Sequence, residues 1–304
     1  FHVEHNTLEH LNNCPLCASE QATHALNVID FSVSKENFNL VDCSDCGFRF
    51  TNPRPKSNDL GKYYQSEEYI SHSNANSSLQ DRLYQLARRF TLRGKFRLLK
   101  ARQPNGKILD IGCGTGQFLA HLMSRGYLVQ GIEPSLHTRE GVIANYSIPV
   151  VPSIDDLPHQ EQFNAITMWH VLEHIPDLRS HFKKLFALMA NKGVLIIAVP
   201  DRSSWDAQHY GPHWAAWDVP RHLSHFRQKD IHTLLLEHGF TLLETKRMWM
   251  DAYYIAMLSE QYKGLGKLSS LIKGFAMGKW SNFLSLINGR PTSSTLYIAK
   301  KLEA

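Results

Sequence analysis

Apolar positions change from strand-like runs to helix-like spacing most clearly between residues 107 and 123. Ile108, Leu109 and Ile111 form a short apolar run of the kind that makes a buried parallel strand. Apolar side chains then recur at helical spacing over residues 118–123. This pattern predicts a buried strand, a tight connection and a helix.

Two earlier segments also have clear patterns. Residues 26–31 and 38–41 are predicted to be the strands of a hairpin. Leu79–Arg102 is predicted to be one helix, because its apolar side chains step by four, three and four residues into one stripe. The same segment holds eight basic residues and one acid. Its basic face is interpreted either as a contact for an anion or as an ordinary solvated surface.

The connection after the first buried strand is rich in glycine, with Gly112, Gly114 and Gly116 at alternate positions. Such a loop between a strand and a helix is the layout of a nucleotide site, because glycines let backbone N–H groups approach a ligand. Gln117 stands where a dinucleotide fingerprint has its third glycine. Asp110 would repel a pyrophosphate but suits a cationic ligand. These residues favour S-adenosylmethionine, which carries adenosine and positive charge but no phosphate.

The block resembles motif I of class I S-adenosylmethionine-dependent methyltransferases. Residues 127–133 resemble the second strand of that family, which ends in an acid, and Glu133 lies 23 positions after Asp110, near the ~20 expected for an acid that bonds ribose hydroxyls. Residues 163–174 resemble the fourth strand with its turn, and residues 193–200 the fifth strand. The resemblance implies an α/β fold with a Rossmann-like, seven-stranded sheet and helices on both faces.

The same resemblance implies where the cofactor lies. The acid and glycines of motif I would face its methionine end and sugar, Glu133 would take both ribose hydroxyls, and the turn after the third strand would read the adenine. Many relatives have an acid where Ser153 stands, so adenine recognition here is expected to use the backbone or Asp155. The expected contacts, for S-adenosylmethionine and its product S-adenosylhomocysteine, are Asp110, Gly112, Gly114, Gly116, Glu133, Ser153, Ile154, Asp155 and Trp169.

Histidines are the candidate catalytic groups. Methyl transfer from a sulfonium is an in-line displacement that needs alignment, exclusion of water and often removal of the acceptor's proton. His170 and His174 are four positions apart and share a face if the turn after the fourth strand is helical; His222 is the third candidate. The position of this segment in the methyltransferase order argues against its H-x-x-E-H match to zinc peptidases.

Residues 210–225 gather tryptophans, an arginine and histidines, and resemble the segment at the mouth of the acceptor pocket in relatives. Trp217 is expected to stack on the acceptor, Arg221 to hold an anionic group and His225 to line the pocket. The alternative is that the aromatic residues only pack this insertion onto the sheet. Tyr64 is interpreted either as a lid residue over the site or as a packing residue.

Two C-x2-C pairs stand near the start of the chain, with 25 residues between them. Cys14, Cys17, Cys43 and Cys46 are predicted to form a tetrahedral, structural zinc site with no open position for chemistry. The alternative is a ribbon whose metal is weak or absent. Cys113 is interpreted as a small filler in the glycine loop.

These features predict three parts: a zinc ribbon over residues 1–55, a helical linker or lid over 56–104, and a methyltransferase domain over 105–304 with insertions at about 201–228 and 253–290. The last antiparallel strand pair is expected at 241–250 and 294–300. The apolar and basic second insertion is interpreted as a pocket roof, a homodimer contact or a helix at a membrane surface.

The 304 residues have a net charge of +5 and 43% hydrophobic content, which is enough for a sizeable core but does not by itself imply nucleic acid. No apolar run reaches the length of a membrane span and no signal peptide is visible, so a cytoplasmic protein is expected. The predicted function is methylation of an O, N or C atom of a sugar, lipid-linked molecule or secondary metabolite. The alternative is an RNA methyltransferase that grips RNA with the ribbon and the basic helix, although no Asn/Asp-Pro-Pro-Tyr type motif follows the fourth strand.

Overall fold

A computed structural model describes residues 8–64, 79–158 and 160–302, and within this part the side chains from 79 to 90 are not described. Residues 65–78 of the predicted lid therefore lie outside the described residues, as do several side chains of the predicted basic helix. Those side chains are the apolar stripe of Leu79, Leu83, Leu86 and Phe90, the acid Asp81 and the basic residues Arg82, Arg88 and Arg89.

Thirteen strands follow one another along the described residues, five of them before residue 64 and eight after residue 106. They are β1 (Leu8–Glu9), β2 (Ala22–Ile29), β3 (Asn37–Cys43), β4 (Arg49–Thr51), β5 (Arg54–Pro55), β6 (Lys107–Ile111), β7 (Leu128–Ile132), β8 (Val150–Val151), β9 (Phe163–Trp169), β10 (Met189–Pro200), β11 (Ser224–His225), β12 (Phe240–Arg247) and β13 (Ser294–Lys301). The α-helices are α1 (Leu79–Arg102), α2 (Gln117–Met123), α3 (Leu136–Tyr146), α4 (Leu178–Leu188), α5 (Trp205–Tyr210), α6 (Gln228–Glu237), α7 (Asp251–Tyr262) and α8 (Lys267–Asn288).

A seven-stranded sheet in the order β12-β13-β10-β9-β6-β7-β8 forms the centre of the molecule. Five strands run parallel from β10 to β8, and β13 lies antiparallel between β10 and β12. Ile108 and Leu109 in β6 are fully buried, as expected for a strand covered by helices on both faces. The predicted α/β fold with a Rossmann-like sheet is confirmed.

A second sheet of four strands, in the order β11-β4-β3-β2, joins the N-terminal ribbon to the insertion after β10. The predicted hairpin is β2 and β3, and β11 pairs with β4 so that Ser224 lies opposite Phe50. Phe48 and Phe50 are buried in the same hydrophobic cluster as residues of the central sheet. The ribbon is therefore packed onto the α/β domain at the edge where the first insertion emerges.

The second insertion forms the helical pair α7 and α8, which packs together at very short range. A Cβ atom added to Gly278 would lie 2.8 Å from the Cα of Tyr253, and one on Gly274 would clash with the backbone of Met257. In the described part of the chain, none of the helices has both the length and the apolar character of a membrane span.

Candidate functional site

The glycine loop between β6 and α2 has a left-handed backbone at all three glycines, with φ of 69° at Gly112, 52° at Gly114 and 73° at Gly116. A Cβ atom on Gly112 would clash with Val171, and one on Gly116 would lie 2.6 Å from Val142. A Cβ atom on Gly114 would meet nothing within 4 Å. The outer glycines are therefore required for packing, while the backbone of the central glycine borders open space that a ligand can enter.

Asp110 closes the inner end of this loop as a buried carboxylate. The Thr167 hydroxyl donates a hydrogen bond to its Oδ1 at 2.5 Å. Burial raises the pKa of Asp110 to about 6, against the opposing effects of this hydrogen bond and of the Lys95 ammonium. The Lys95 Nζ lies 4.3 Å from the ring centroid of Trp169. A buried carboxylate thus lies at the inner end of the loop, and the Lys95 ammonium favours its charged form.

Glu133 follows β7 and faces the same loop from the neighbouring strand. Its Oε2 accepts a hydrogen bond from the Gly114 N–H at 3.1 Å, and its Oε1 accepts one from the Ser135 N–H at 3.0 Å. The carboxylate therefore borders the open space beside Gly114. A carboxylate in this place can accept hydrogen bonds from a pair of ligand hydroxyls.

The turn after β8, predicted to read an adenine, is organised by a serine cap. The Ser153 Oγ accepts a hydrogen bond from the Asp155 N–H at 3.2 Å and donates one to Asp156 Oδ2 at 2.6 Å. Asp155 is exposed and pairs with Lys184 at 2.6 Å, while Ile154 packs against the core. The side chains of Ser153 and Asp155 thus have partners within the protein, so adenine contact at this turn remains a prediction.

A cluster of histidines surrounds the buried Glu173 at the carboxyl end of β9. The Glu173 side chain is 1% exposed, and its Oε1 lies 3.5 Å from Nδ1 of His170 and 3.9 Å from Nε2 of His222. Both of its oxygens lack a hydrogen-bond partner. The cluster therefore places a buried negative charge between two imidazoles.

His170 is held as a cation in this cluster. Its Nε2 lies 3.0 Å from Oδ2 of Asp251, the first residue of α7. Burial alone lowers the pKa of His170, but the carboxylates of Asp251 and Glu173 outweigh it and raise the pKa to about 10. The predicted role of His170 as a base does not fit this arrangement, since an imidazolium at neutral pH donates protons.

His222 contacts the backbone through one ring nitrogen and faces two acids through the other. Its Nδ1 lies 2.9 Å from the carbonyl oxygen of Ala216, and because a carbonyl only accepts, Nδ1 carries the hydrogen. Its Nε2 faces Glu173 and Asp218, whose Oδ2 is 3.8 Å away. Two carboxylates therefore border this ring nitrogen.

His174 lies between Tyr64 and His222. Its Nδ1 is 2.9 Å from the Tyr64 hydroxyl and 3.0 Å from the Arg221 carbonyl oxygen, and its ring packs edge-on against His222 with centroids 4.7 Å apart. Burial, together with His222, lowers the pKa of His174 to about 4. His174 is therefore neutral and weakly basic. A ring nitrogen of His174, a ring nitrogen of His222 and a carboxylate oxygen of Glu173 lie within 4.8 Å of one another, so these three residues could also hold a cation.

Arg221 joins the ribbon to the α/β domain instead of facing an acceptor. Its side chain is 2% exposed and pairs with Asp218 at 2.7 Å and with the fully buried Asp30 at 3.0 Å. It also donates a hydrogen bond to the carbonyl of Tyr63 at 2.7 Å. The prediction that Arg221 binds an anionic acceptor group is corrected, because these internal partners occupy its donors.

Trp217 and His225 are buried at the same interface. The Trp217 Nε1 donates to the Gly211 carbonyl at 2.8 Å, and its ring lies edge-on to His225 with centroids 5.2 Å apart. Burial moves the pKa of His225 well below its usual value. The alternative interpretation, that these side chains pack the insertion, fits their positions better than contact with an acceptor.

The four ribbon cysteines converge on one point. Cys14 Sγ lies 3.7 Å from Cys46 Sγ, and Cys17 Sγ lies 3.5 Å from Cys43 Sγ. Four thiolates about 2.3 Å from a tetrahedral zinc would be about 3.8 Å apart, so the set fits that ion. Cys113 lies away from them, where its sulfur would be 2.6 Å from a Cβ atom added to Gly131.

Sequence reasoning did not select four acidic or hydroxyl residues of the site. Glu173 and Asp218 lie inside segments singled out for their histidines, so local sequence carried a signal for them. Thr167 and Asp251 lie in a strand and at a helix start without a distinguishing local motif.

The sheet order and the glycine loop define a Rossmann-like methyltransferase fold. Residues 80–245 match the family described as "Methyltransferase domain". The match covers more than half of the chain, so the chain belongs to this family.

Curated relatives include two proteins named ubiquinone biosynthesis O-methyltransferase. The one from Histophilus somni (strain 2336) is 31% identical over 117 residues, which are 33% of this chain and 49% of that protein. The one from Rhodopseudomonas palustris (strain HaA2) is 27% identical over 155 residues, which are 46% of this chain and 60% of that protein. The chain thus spans about half the length of these relatives.

Solved structures share the fold at low sequence identity. Magnesium protoporphyrin IX methyltransferase from Synechocystis PCC 6803, with bound SAH, superposes with a TM-score of 0.53 at 14% identity, over 81% of this chain and all of that one. A putative sarcosine dimethylglycine methyltransferase from Galdieria sulphuraria gives 0.50 at 14% identity, over 71% of this chain and 86% of that one.

Proposed function

We propose that the protein transfers a methyl group from S-adenosylmethionine to a hydroxyl oxygen of a small or lipid-linked acceptor. The observation that carries this proposal is the buried Asp110 carboxylate directly before the glycine loop, with Glu133 on the neighbouring strand. Membership of the methyltransferase-domain family and the O-methyltransferase relatives support it.

The charges of the loop suit this cofactor. S-adenosylmethionine supplies an electrophilic methyl group and carries positive charge at its sulfonium and ammonium. Asp110 would attract that charge, and Glu133 would accept hydrogen bonds from the ribose hydroxyls beside the open face of Gly114. A pyrophosphate in the same place would face two carboxylates, which disfavours dinucleotides.

His222 is the proposed general base. As the acceptor oxygen bonds to the methyl carbon and the carbon–sulfur bond breaks, Nε2 of His222 takes the hydroxyl proton. Glu173 and Asp218 stabilise the resulting imidazolium. His170, already protonated, positions Glu173 and Asp251 through its two ring nitrogens, and Tyr64 positions His174 beside the base.

The ribbon cysteines are proposed to hold one structural zinc ion. The sulfur separations fit a tetrahedral four-thiolate site, which leaves no position for chemistry. The zinc would fix the turns of the ribbon, whose strand β4 pairs with β11 next to His222 and His225.

A transfer assay tests this function. The zinc-loaded protein is incubated with labelled S-adenosylmethionine and with separated lipid, nucleotide-sugar and RNA fractions. Label in a lipid or nucleotide-sugar fraction, lost in the variant His222→Gln, is expected. Label in RNA alone would instead support the RNA methyltransferase. Failure to bind the cofactor at micromolar protein would overturn the proposal as a whole.

A further inference from the structure

The polarity of helix α8 is inverted relative to an ordinary surface helix. The residues it buries are small: Ser270, Gly274, Gly278, Ser281 and Ser285. Its large apolar side chains point outward, with exposed fractions from 73% at Leu268 to 47% at Phe283. The outer face of α8 is formed by Leu268, Ile272, Phe275, Phe283, Leu286 and Ile287.

This inversion has a packing cause. Gly274 and Gly278 bring α8 so close to the backbone of α7 that no larger side chain fits between the helices. Small residues at a helix contact with apolar side chains outward are the arrangement that helices use in an apolar surrounding. In water a helix normally turns its apolar stripe towards the core. The outer face therefore requires an apolar partner.

The charge of this region selects among partners. Between residues 261 and 302 the sequence has seven basic residues and no acid. Lys273 pairs with Glu260 of α7 at 3.0 Å, while Lys279 is exposed on α8. Lys279 lies within the apolar face, four residues from both Phe275 and Phe283, and Trp280 is exposed at its edge. An apolar face that carries an exposed lysine and a tryptophan is complementary to the interface of an anionic membrane.

We propose that the outer face of α8 docks on the surface of an anionic membrane, with the helix axis in the membrane plane. The three lysines of the helix (Lys267, Lys273 and Lys279) and its limited hydropathy fit a helix that lies in the interface. The proposal goes beyond methyl transfer and does not depend on it.

A second copy of the chain fits this face less well. A two-fold axis through the middle of this face, near Lys279, would place the Lys279 ammonium groups of the two copies opposite each other. The helix has no carboxylate to offset that repulsion. The charge pattern therefore favours anionic headgroups over a symmetric dimer.

Docking would bring the site close to the bilayer, because α7 both supports α8 and begins with Asp251, which pairs with His170. If the proposed function holds, an acceptor with a lipid tail could reach the site without leaving the membrane. This consequence alone rests on the proposed function.

Sedimentation of the zinc-loaded full chain with vesicles, in the absence of cofactor and acceptor, tests the docking. Vesicles of phosphatidylcholine with 30% phosphatidylglycerol, whose anionic headgroups attract basic segments, are compared with vesicles of pure phosphatidylcholine. Binding to the anionic vesicles that weakens in high salt is expected. The double variant Ile272→Gln with Phe283→Gln should lower partitioning into the anionic vesicles about tenfold or more, since it removes two apolar side chains that docking would bury in the membrane.

The matched control is Leu136→Gln with Leu236→Gln, which changes two equally exposed leucines on other helices and should bind as the native chain does. Absence of binding to either vesicle, or equal loss in the control, overturns the proposal. A lipid-free dimer that the α8 double variant dissociates would also overturn it, in favour of a second copy. Binding of S-adenosylhomocysteine by the same variants separates loss of docking from loss of the methyltransferase site.

Discussion

The Nε2 of His170 lies 3.0 Å from Oδ2 of Asp251, so that the end of β9 is tied to the start of the second insertion. Together with Glu173, this contact raises the pKa of His170 to about 10 against the effect of burial, which favours its cationic form at neutral pH. It also couples the helical pair α7–α8 to the edge of the sheet where the glycine loop lies. A substitution at Asp251 should therefore change the site without touching the cofactor loop.

Replacing Asp251 with Asn should lower the pKa of His170 from about 10, because one of its two carboxylate partners is lost. NMR titration of the His170 imidazole would measure this change. In the native protein the raised pKa adds stability that is fully present below about pH 6.5, the ordinary histidine value, and is lost as pH rises through about 10. In the variant, stability should depend less steeply on pH over this range. An unchanged titration of His170 would contradict its pairing with Asp251.

Replacing His222 with Gln should lower the rate of methyl transfer by about 10²–10⁴-fold, the range for loss of a general base. Binding of S-adenosylhomocysteine should stay the same, because His222 acts on the acceptor. Initial rates and calorimetry would separate the two effects, with His232→Gln on the exposed side of α6 as the control. Equal rates in the two variants would remove His222 from the mechanism.

Replacing Arg221 with Met should destabilise the protein by about 3–5 kcal/mol, since it leaves the buried Asp30 without its cation. Urea unfolding measures this free energy. Arg139→Met, in which the lost guanidinium bonds the backbone carbonyls of Glu133 and Pro134 just before α3, should change it far less. If Arg221→Met instead weakened acceptor binding at native stability, the original sequence-based role of Arg221 would return.

The native chain should contain one zinc ion, and Cys43→Ala should lose it together with much of the stability of the ribbon. Elemental analysis after dialysis and thermal unfolding would show both effects. Cys113→Ala, which removes the one remaining cysteine, should keep the zinc. Zinc retained in Cys43→Ala would contradict the four-thiolate site.

The cofactor loop could be predicted from sequence because its determinants are local. Asp110 and the glycines are adjacent in the chain, and the strand–loop–helix unit fixes their geometry. The sequence predicts that Arg221 binds an anionic group of the acceptor, and this prediction is wrong. Its partner Asp30 lies in the ribbon, 191 residues away, and only the folded chain shows that Arg221 is buried against it. The protonation of His170 also depended on a distant residue, Asp251, which local sequence cannot reveal.

The central claim is that the Asp110 carboxylate attracts the positive charge of S-adenosylmethionine. Titration calorimetry of this cofactor with the native protein and with Asp110→Asn tests the claim most directly. Loss of the carboxylate should weaken binding about 10- to 150-fold, the value of a hydrogen bond to a charged group, while the exposed control Glu140→Gln should bind as the native protein does. Because burial raises the pKa of Asp110 to about 6, native affinity should fall as pH drops below 6 and the carboxylate is protonated. The same affinity in native protein and Asp110→Asn at neutral pH would contradict the account.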